Sequence, residues 1–313
     1  MRFNVTLIDP PGERYSHFLF DLARYILNTI ELLGHVCTIE RNRCDPEAMN
    51  ILVGTHLLTT PIDVDVLLGA AQRYLVLQTE VLEEHALNGI DVGDRLERVL
   101  FPLLRGARAV WDTLDTNIDM LSRRGIRADF LRFGYNPRLE DIHHKASKDI
   151  DFLFYGSVSA WRRSVLQKLE SLGYRVRVEF DAVALYRNDL IARAEVVLTM
   201  RHGSELSHLP HARIIYAVNN HCLVVGEGGH GQAAIEDVFT WTNDPASLID
   251  LCRTTRARKD RRELAQSYYE TLRSRPMTSF LAPLLATLEL AQPTPDASSG
   301  VRVVEPSVAQ KLS

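Results

Sequence analysis

Residues that can do chemistry recur in this sequence directly after short apolar runs, where strands would end. That placement matters, because ligands of open parallel sheets sit beyond the carboxyl ends of the strands. Gly156-Ser157 closes the run 152–155 and precedes a helical pattern over 160–172. A strand, a small-residue turn and a helix can aim backbone N–H groups at a phosphate. Arg201-His202 follows the run 196–200 and can bind a diphosphate. Arg213 and Tyr216 lie on a helix opening after Pro210, with His208 and His211 beside them. A metal reading of the two histidines is unattractive, because Pro210 separates them and no carboxylate set joins them. Glu227, before Gly228-Gly229, can accept hydrogen bonds from a ribose diol. In the first half Glu80 and Asp112 end apolar runs and are candidate general bases, with His17 and His56 as alternatives.

Each of these has a plainer reading. Gly156 serves a tight turn, Arg201 is a solvated charge, and His202 is a turn residue bonded to nearby backbone. Glu227 is a loop carboxylate in water. Glu80 is a first-turn acid for a helix starting near Val81, a common use of a carboxylate. No Walker sequence, G-x-S-x-G elbow or complete dinucleotide fingerprint is present.

The elements that must position these residues follow from periodicity. Strands are expected at 3–8, 36–40, 50–54, 74–78, 109–111 and 129–133, with helices over 18–33, ended by Gly34, and 117–124. A second series has strands at 152–155, 175–180, 196–200, 222–225 and 239–241 and helices over 160–172, 187–193, 210–219 and 245–254. A charged helix over 258–273 and an apolar one over 277–290 complete it. This alternation predicts α/β architecture, two Rossmann-like parallel-sheet domains facing a cleft. Residues 1–146 form the first expected domain and 147–276 the second, with a polar linker near 142–149. Residues 277–290 form a helix returning to the first domain. The stretch 291–313 reads as a disordered tail.

The formal net charge of −4 argues against a polyanion-binding surface, so no nucleic-acid partner is expected. Met1 leads straight into a strand, so no signal peptide is expected, and no run is long enough to span a bilayer. The four cysteines have neither metal-ligand spacing nor disulfide density. They read as reduced thiols of a cytoplasmic protein.

Six segments together resemble a known family: Asn50-Ile-Leu-Val-Gly-Thr-His56, Leu77-Gln-Thr-Glu80, Val110-Trp-Asp112 with Asn117, Phe133-Gly-Tyr-Asn-Pro137, Asp151-Phe-Leu-Phe-Tyr-Gly-Ser157 with Arg162-Arg163, and Val224-Val-Gly-Glu227. In that order, over about residues 10–285, they are similar to the GT-B-like glycosyltransferases that include CgeB-type spore proteins and bacterial glycosyltransferase family 1-like proteins. The resemblance implies a nucleotide-sugar co-substrate held by the second domain, a small-molecule or biosynthetic acceptor held by the first, and no essential metal or other cofactor. Gly156, Ser157, Arg201, His202, Arg213, Tyr216 and Glu227 would be donor-side, and Glu80, Asp112 and His17 would lie toward the acceptor. The oligomeric state stays open, a homodimer included. The sequence departs from the pattern at Pro210, which stands where relatives carry glutamate, and at Asn219-Asn220, which replaces a glycine-type turn. These changes imply an altered donor pocket, with Glu205 or His211 in compensation. The leading reading is a glycosyltransferase. A repurposed or non-catalytic nucleotide-binding protein and a nucleotide-sugar hydrolase or epimerase are the alternatives, since fold alone does not fix reaction.

Overall fold

The structure, a computed structural model, describes residues 1–10, 16–71, 73–180, 182–203, 208–229 and 235–290. The chain opens with β1 (Arg2–Leu7), α1 (Ser16–Leu32), β2 (Val36–Arg41), β3 (Met49–Val53), α2 (Pro61–Leu68) and β4 (Tyr74–Gln78). A two-stranded hairpin follows, β5 (Ala86–Leu87) and β6 (Ile90–Asp91), then α3 (Phe101–Gly106), β7 (Val110–Asp112), α4 (Asp115–Arg123) and β8 (Asp129–Phe130). The second series is β9 (Ile150–Tyr155), α5 (Ala160–Ser171), β10 (Val176–Glu179), α6 (Ala184–Arg193), β11 (Ala194–Thr199), α7 (His211–Asn219), β12 (Val224–Glu227) and β13 (Thr240–Thr242). Three helices close the chain: α8 (Leu248–Ala257), α9 (Arg261–Arg273) and α10 (Met277–Leu290).

The strands form two parallel sheets, ordered β2-β1-β3-β4-β7-β8 and β10-β9-β11-β12-β13. Central strands β3, β4 and β9 are buried along their whole length, as expected of a sheet covered on both faces. In each sheet the winding reverses beside the first strand of its half, between β1 and β3 and between β9 and β11. Such switch points open a crevice at the carboxyl ends of the two strands. The crevices fall after Leu7 and Val53 in one sheet and after Tyr155 and Thr199 in the other.

Two expectations are corrected. No helix begins at Val81: the chain turns instead into the β5–β6 hairpin, where Asn88 (φ 53°) and Gly89 (φ 75°) supply the two left-handed residues of a tight hairpin turn. Asn219-Asn220 is not a pocket feature. The Asn219 side chain accepts from Asn136 N (2.8 Å) and donates to Asn136 O (3.1 Å). Asn220 accepts from Asp141 N and Ile142 N at 2.9 and 3.0 Å. The pair ties the end of α7 to the chain passing between the sheets. A glycine has no side chain for these bonds.

The last helix lies along α1, and the Met277 N–H donates to Tyr135 O at 2.7 Å. Its buried Met277, Leu281, Leu285 and Leu288 join one core with Leu19 and Ile26 of α1, Phe133, and Ile214 and Ile215 of α7.

Candidate functional site

Gly156 has φ +143°, a conformation that L side chains rarely adopt. A Cβ there would also lie 2.9–3.1 Å from the Arg213 guanidinium. The glycine thus lets a cation sit directly against the end of β9. Arg213 projects from α7 with its guanidinium carbon 5.4 Å from the centre of the Tyr155 ring and 6.0 Å from that of Phe154. Its Nη1 is buried without a hydrogen-bond partner, and among the described residues no carboxylate forms an ion pair with it. Burial lowers the affinity of this guanidinium for its proton, though arginine remains a cation in proteins.

A second arginine builds the loops around it. Arg162 of α5 is buried and donates to Ser157 O (2.8 Å), Met200 O (2.7 Å) and Arg201 O (3.0 Å). One side chain therefore staples the turns after β9 and β11, the two walls of the switch-point crevice. Burial, with Arg213 close by, pulls its pKa down to about 10. Ser157 takes part in this contact, its hydroxyl also accepting from Arg162 at 3.2 Å. Glu227 is 1% exposed. Its Oε2 accepts from Arg201 N (2.9 Å) and Trp161 Nε1 (3.0 Å). The loop carboxylate in water is thereby excluded, and only Oε1, with Arg201 Nε at 3.7 Å, is left to a ligand. His202 is exposed beyond β11.

Gly156, Ser157, Arg213 and Tyr216 line one cleft of ≈ 900 Å³, measured to its open mouth. Its opposite wall is α1, through Phe18, Asp21, Leu22 and Tyr25. Asp21 reaches across the cleft to Arg187 of α6, an ion pair in which both side chains are largely buried. Burial alone would lower the Arg187 guanidinium, but Asp21 more than offsets it and leaves it raised. The Arg187 guanidinium also stacks over Tyr216, 5.0 Å from the ring centre, while the Tyr216 hydroxyl bonds Asn188 (3.0 Å) and Asp141 (3.2 Å). Tyr216 is therefore a wall of the cleft rather than a free donor.

On the first sheet, Glu80 and His56 meet at the ends of β4 and β3, with Nδ1 to Oε1 3.4 Å. Thr79 Oγ1 donates to Glu80 Oε1 at 2.9 Å, and Asn88 Nδ2 donates to Oε2. Both side chains keep some exposure, 18% for His56 and 16% for Glu80. They lie between two contacts that cross from one half of the chain to the other, Asp21–Arg187 beside β1 and Thr116 Oγ1 to His208 Nε2 (2.9 Å) beside β7. Asp112 differs. It is fully buried, accepting from Leu114 N (2.8 Å) and Asn117 Nδ2 (3.0 and 3.2 Å). Burial raises its pKa to about 8. It presents no oxygen to the cleft, so its expected place facing an acceptor is corrected to an internal brace: Asn117 carries the link on to Glu80 O at 2.8 Å. The side chain of His17, the stretch 11–15 and Glu205 lie outside the described residues.

Sequence reasoning missed Asp21, Arg187 and Asn88. Asn88-Gly89 carried a readable hairpin signal. Nothing local marks Asp21 and Arg187 as a pair. Among the described residues, no group of His, Cys, Asp and Glu could hold a metal ion, and no helix is long and apolar enough to cross a membrane.

No family model matches the chain, and no curated protein matches it. Solved structures do. An α-glucosyltransferase in complex with UDP and a 13-mer DNA containing an HMU base superposes with a TM-score of 0.60 at 8% identity, over 92% of this chain and 99% of that one. The trehalose-6-phosphate synthase OtsA gives 0.60 at 10%, over 94% and 100%. AviGT4, a glycosyltransferase involved in avilamycin A biosynthesis, gives 0.52 at 14%, over 92% and 97%. At these identities the likeness is one of architecture. The chain has the GT-B fold of these glycosyltransferases, two Rossmann-like sheets with a cleft between them.

Proposed function

We propose that this protein is a metal-independent glycosyltransferase, moving a sugar from a nucleoside diphosphate to a hydroxyl of a small-molecule or biosynthetic acceptor. The observation that carries this reading is the buried, unsatisfied Nη1 of Arg213 against Gly156 in the cleft of a GT-B fold. A buried donor without an acceptor is costly unless a ligand satisfies it. A diphosphate has the charge and the oxygens to do so. As the bond from sugar carbon to diphosphate oxygen breaks, negative charge grows on the leaving group, and Arg213 stabilises it. In the same step the acceptor oxygen bonds to the sugar carbon. Its proton passes to His56, which Glu80 holds in orientation.

Residues 1–146 then serve the acceptor and 147–276 the donor. Glu227 Oε1 remains the candidate contact for the ribose. Within the fold, the six motif segments favour a place near the CgeB-type proteins, with action in the cytoplasm.

Titration calorimetry with nucleoside diphosphates tests the reading. Binding in the native protein, weakened by about 1.5–3 kcal/mol in Arg213→Ala, supports it. Unchanged affinity in the folded variant removes Arg213 from the site. Binding without sugar transfer to any acceptor or to water would favour a non-catalytic nucleotide-binding role. Full transfer activity in a chelator is the expected result for a metal-independent enzyme.

A further inference from the structure

A second cavity, ≈ 1110 Å³ to its mouth, lies at the edge of the second sheet opposite the cleft. It opens where strands begin: Lys148 precedes β9, Glu195 stands at the start of β11, and Cys222 and Leu223 lead into β12. Arg261 and Arg262 of α9 form the facing wall. Cations dominate the lining, and the acids near it are already engaged. Glu195 faces Arg256 (3.8 Å) and Arg261 (3.4 Å), and Asp189 faces Lys145 at 4.0 Å. Lys148 and Arg262 have no acidic partner among the described residues.

Lys148 is fixed in place by neutral acceptors, His144 Nδ1 and Ala192 O, both at 2.8 Å. His144 in turn hydrogen-bonds Asn220 O through Nε2 at 2.7 Å, so its Nδ1 is free to accept from the ammonium. The Nε of Arg261 is buried without a hydrogen-bond partner. Two cations without an ion-pair partner among the described residues and a guanidinium with an unsatisfied nitrogen thus line one cavity. Holding like charges together at the edge of a low-dielectric interior is unfavourable until an anion enters.

We propose that this cavity is a second anion site that takes a small phosphate-bearing ligand, with Lys148 and Arg262 supplying the charge and Arg261 Nε a further donor. Lysine binds phosphate as a point charge and arginine through paired N–H groups. The proposal does not depend on the transferase reading, because the site lies on the opposite edge of the sheet from Arg213.

Calorimetric titration of the full chain with inorganic pyrophosphate tests it. The native protein is expected to bind at two sites, and Arg213→Ala to keep the one described here. Arg262→Glu alters an exposed side chain, so folding is preserved, and it should weaken this site by at least roughly ten-fold while leaving the cleft unaffected. Lys148→Met, with folding checked by circular dichroism, should do the same. The order of pyrophosphate and UDP affinities at this site, read in Arg213→Ala, separates a site for free phosphates from one for nucleotides. A single site in the native protein that Arg213→Ala abolishes would overturn the proposal. So would native pyrophosphate binding at both sites in folded Arg262→Glu and Lys148→Met.

Discussion

Arg213 is set apart from most buried cations by its surroundings, two aromatic rings and a glycine rather than an acid. Its position depends on Gly156, which makes Gly156→Ala informative. The flexible guanidinium can move away from a new methyl group, but the backbone cannot leave φ +143° without disturbing β9. We expect the variant to lose about 1–3 kcal/mol in urea denaturation. We also expect weaker nucleoside diphosphate binding, since the relief comes from displacing Arg213. Equal stability and equal binding would show that neither constraint acts. His56 and Glu80 separate by their roles. If His56 takes the proton, His56→Asn lowers kcat by roughly 10²–10⁴-fold and removes the general-base limb of the pH–rate profile. Glu80→Gln keeps that limb, because glutamine keeps its place beside the ring, and costs less. The opposite order would make Glu80 the base. Asp112 carries a pH signature of its own. Its carboxyl titrates near 8 folded and near 4 unfolded, so between those values the folded state holds the extra proton. Stability tied to this group is therefore complete below about pH 4 and declines as pH rises toward about 8, by on the order of a few kcal/mol. Melting temperatures from pH 5 to 9 should fall in the native protein and flatten in Asp112→Asn. A rise with pH would contradict the burial argument.

At the level of elements, Arg162 does what no short-range bond can, fastening the turns after two neighbouring strands with one side chain. Arg162→Met would keep much of the packing against Phe154 yet leave three carbonyls without their donor. A loss of about 2–4 kcal/mol is expected, with weaker nucleotide binding since Arg162 is bonded to the loops themselves. Unchanged binding would mean that the crevice does not need the staple. The same scale shows what a sequence does and does not disclose. Apolar runs such as 74–78 and 152–155 were legible as strands because both faces are covered. The segment Pro61–Leu68 was not read as a helix. Its alternating Ile62, Asp63, Val64, Asp65 and Val66 imitate a strand, while the helix is fixed locally by Pro61 in the first turn and by the reciprocal Thr60–Asp63 cap. Gly156 and Arg213 were found by type and position. Arg162 was visible only as part of a motif, since its targets are backbone atoms up to 39 residues away.

For the whole molecule, the Asp21–Arg187 pair joins residues 166 positions apart across the cleft, a relation no local pattern encodes. Removing the acid leaves a buried cation facing Tyr155 and Tyr216. Asp21→Asn should cost about 3–5 kcal/mol if the halves stay apposed, or open the cleft if they do not. Denaturation measures the first and small-angle scattering the second, and a variant unchanged in both would show that the pair is incidental. Helix α1 is complete at residue 32, but α10, which lies along it, begins at residue 277. At ~5–20 residues per second, a ribosome takes roughly 10–50 s to make the intervening chain. Throughout that interval the apolar face of α1 that receives α10 waits uncovered. A nascent chain arrested before residue 277 should therefore be more protease-sensitive, and recruit more chaperone, than one extended past residue 290.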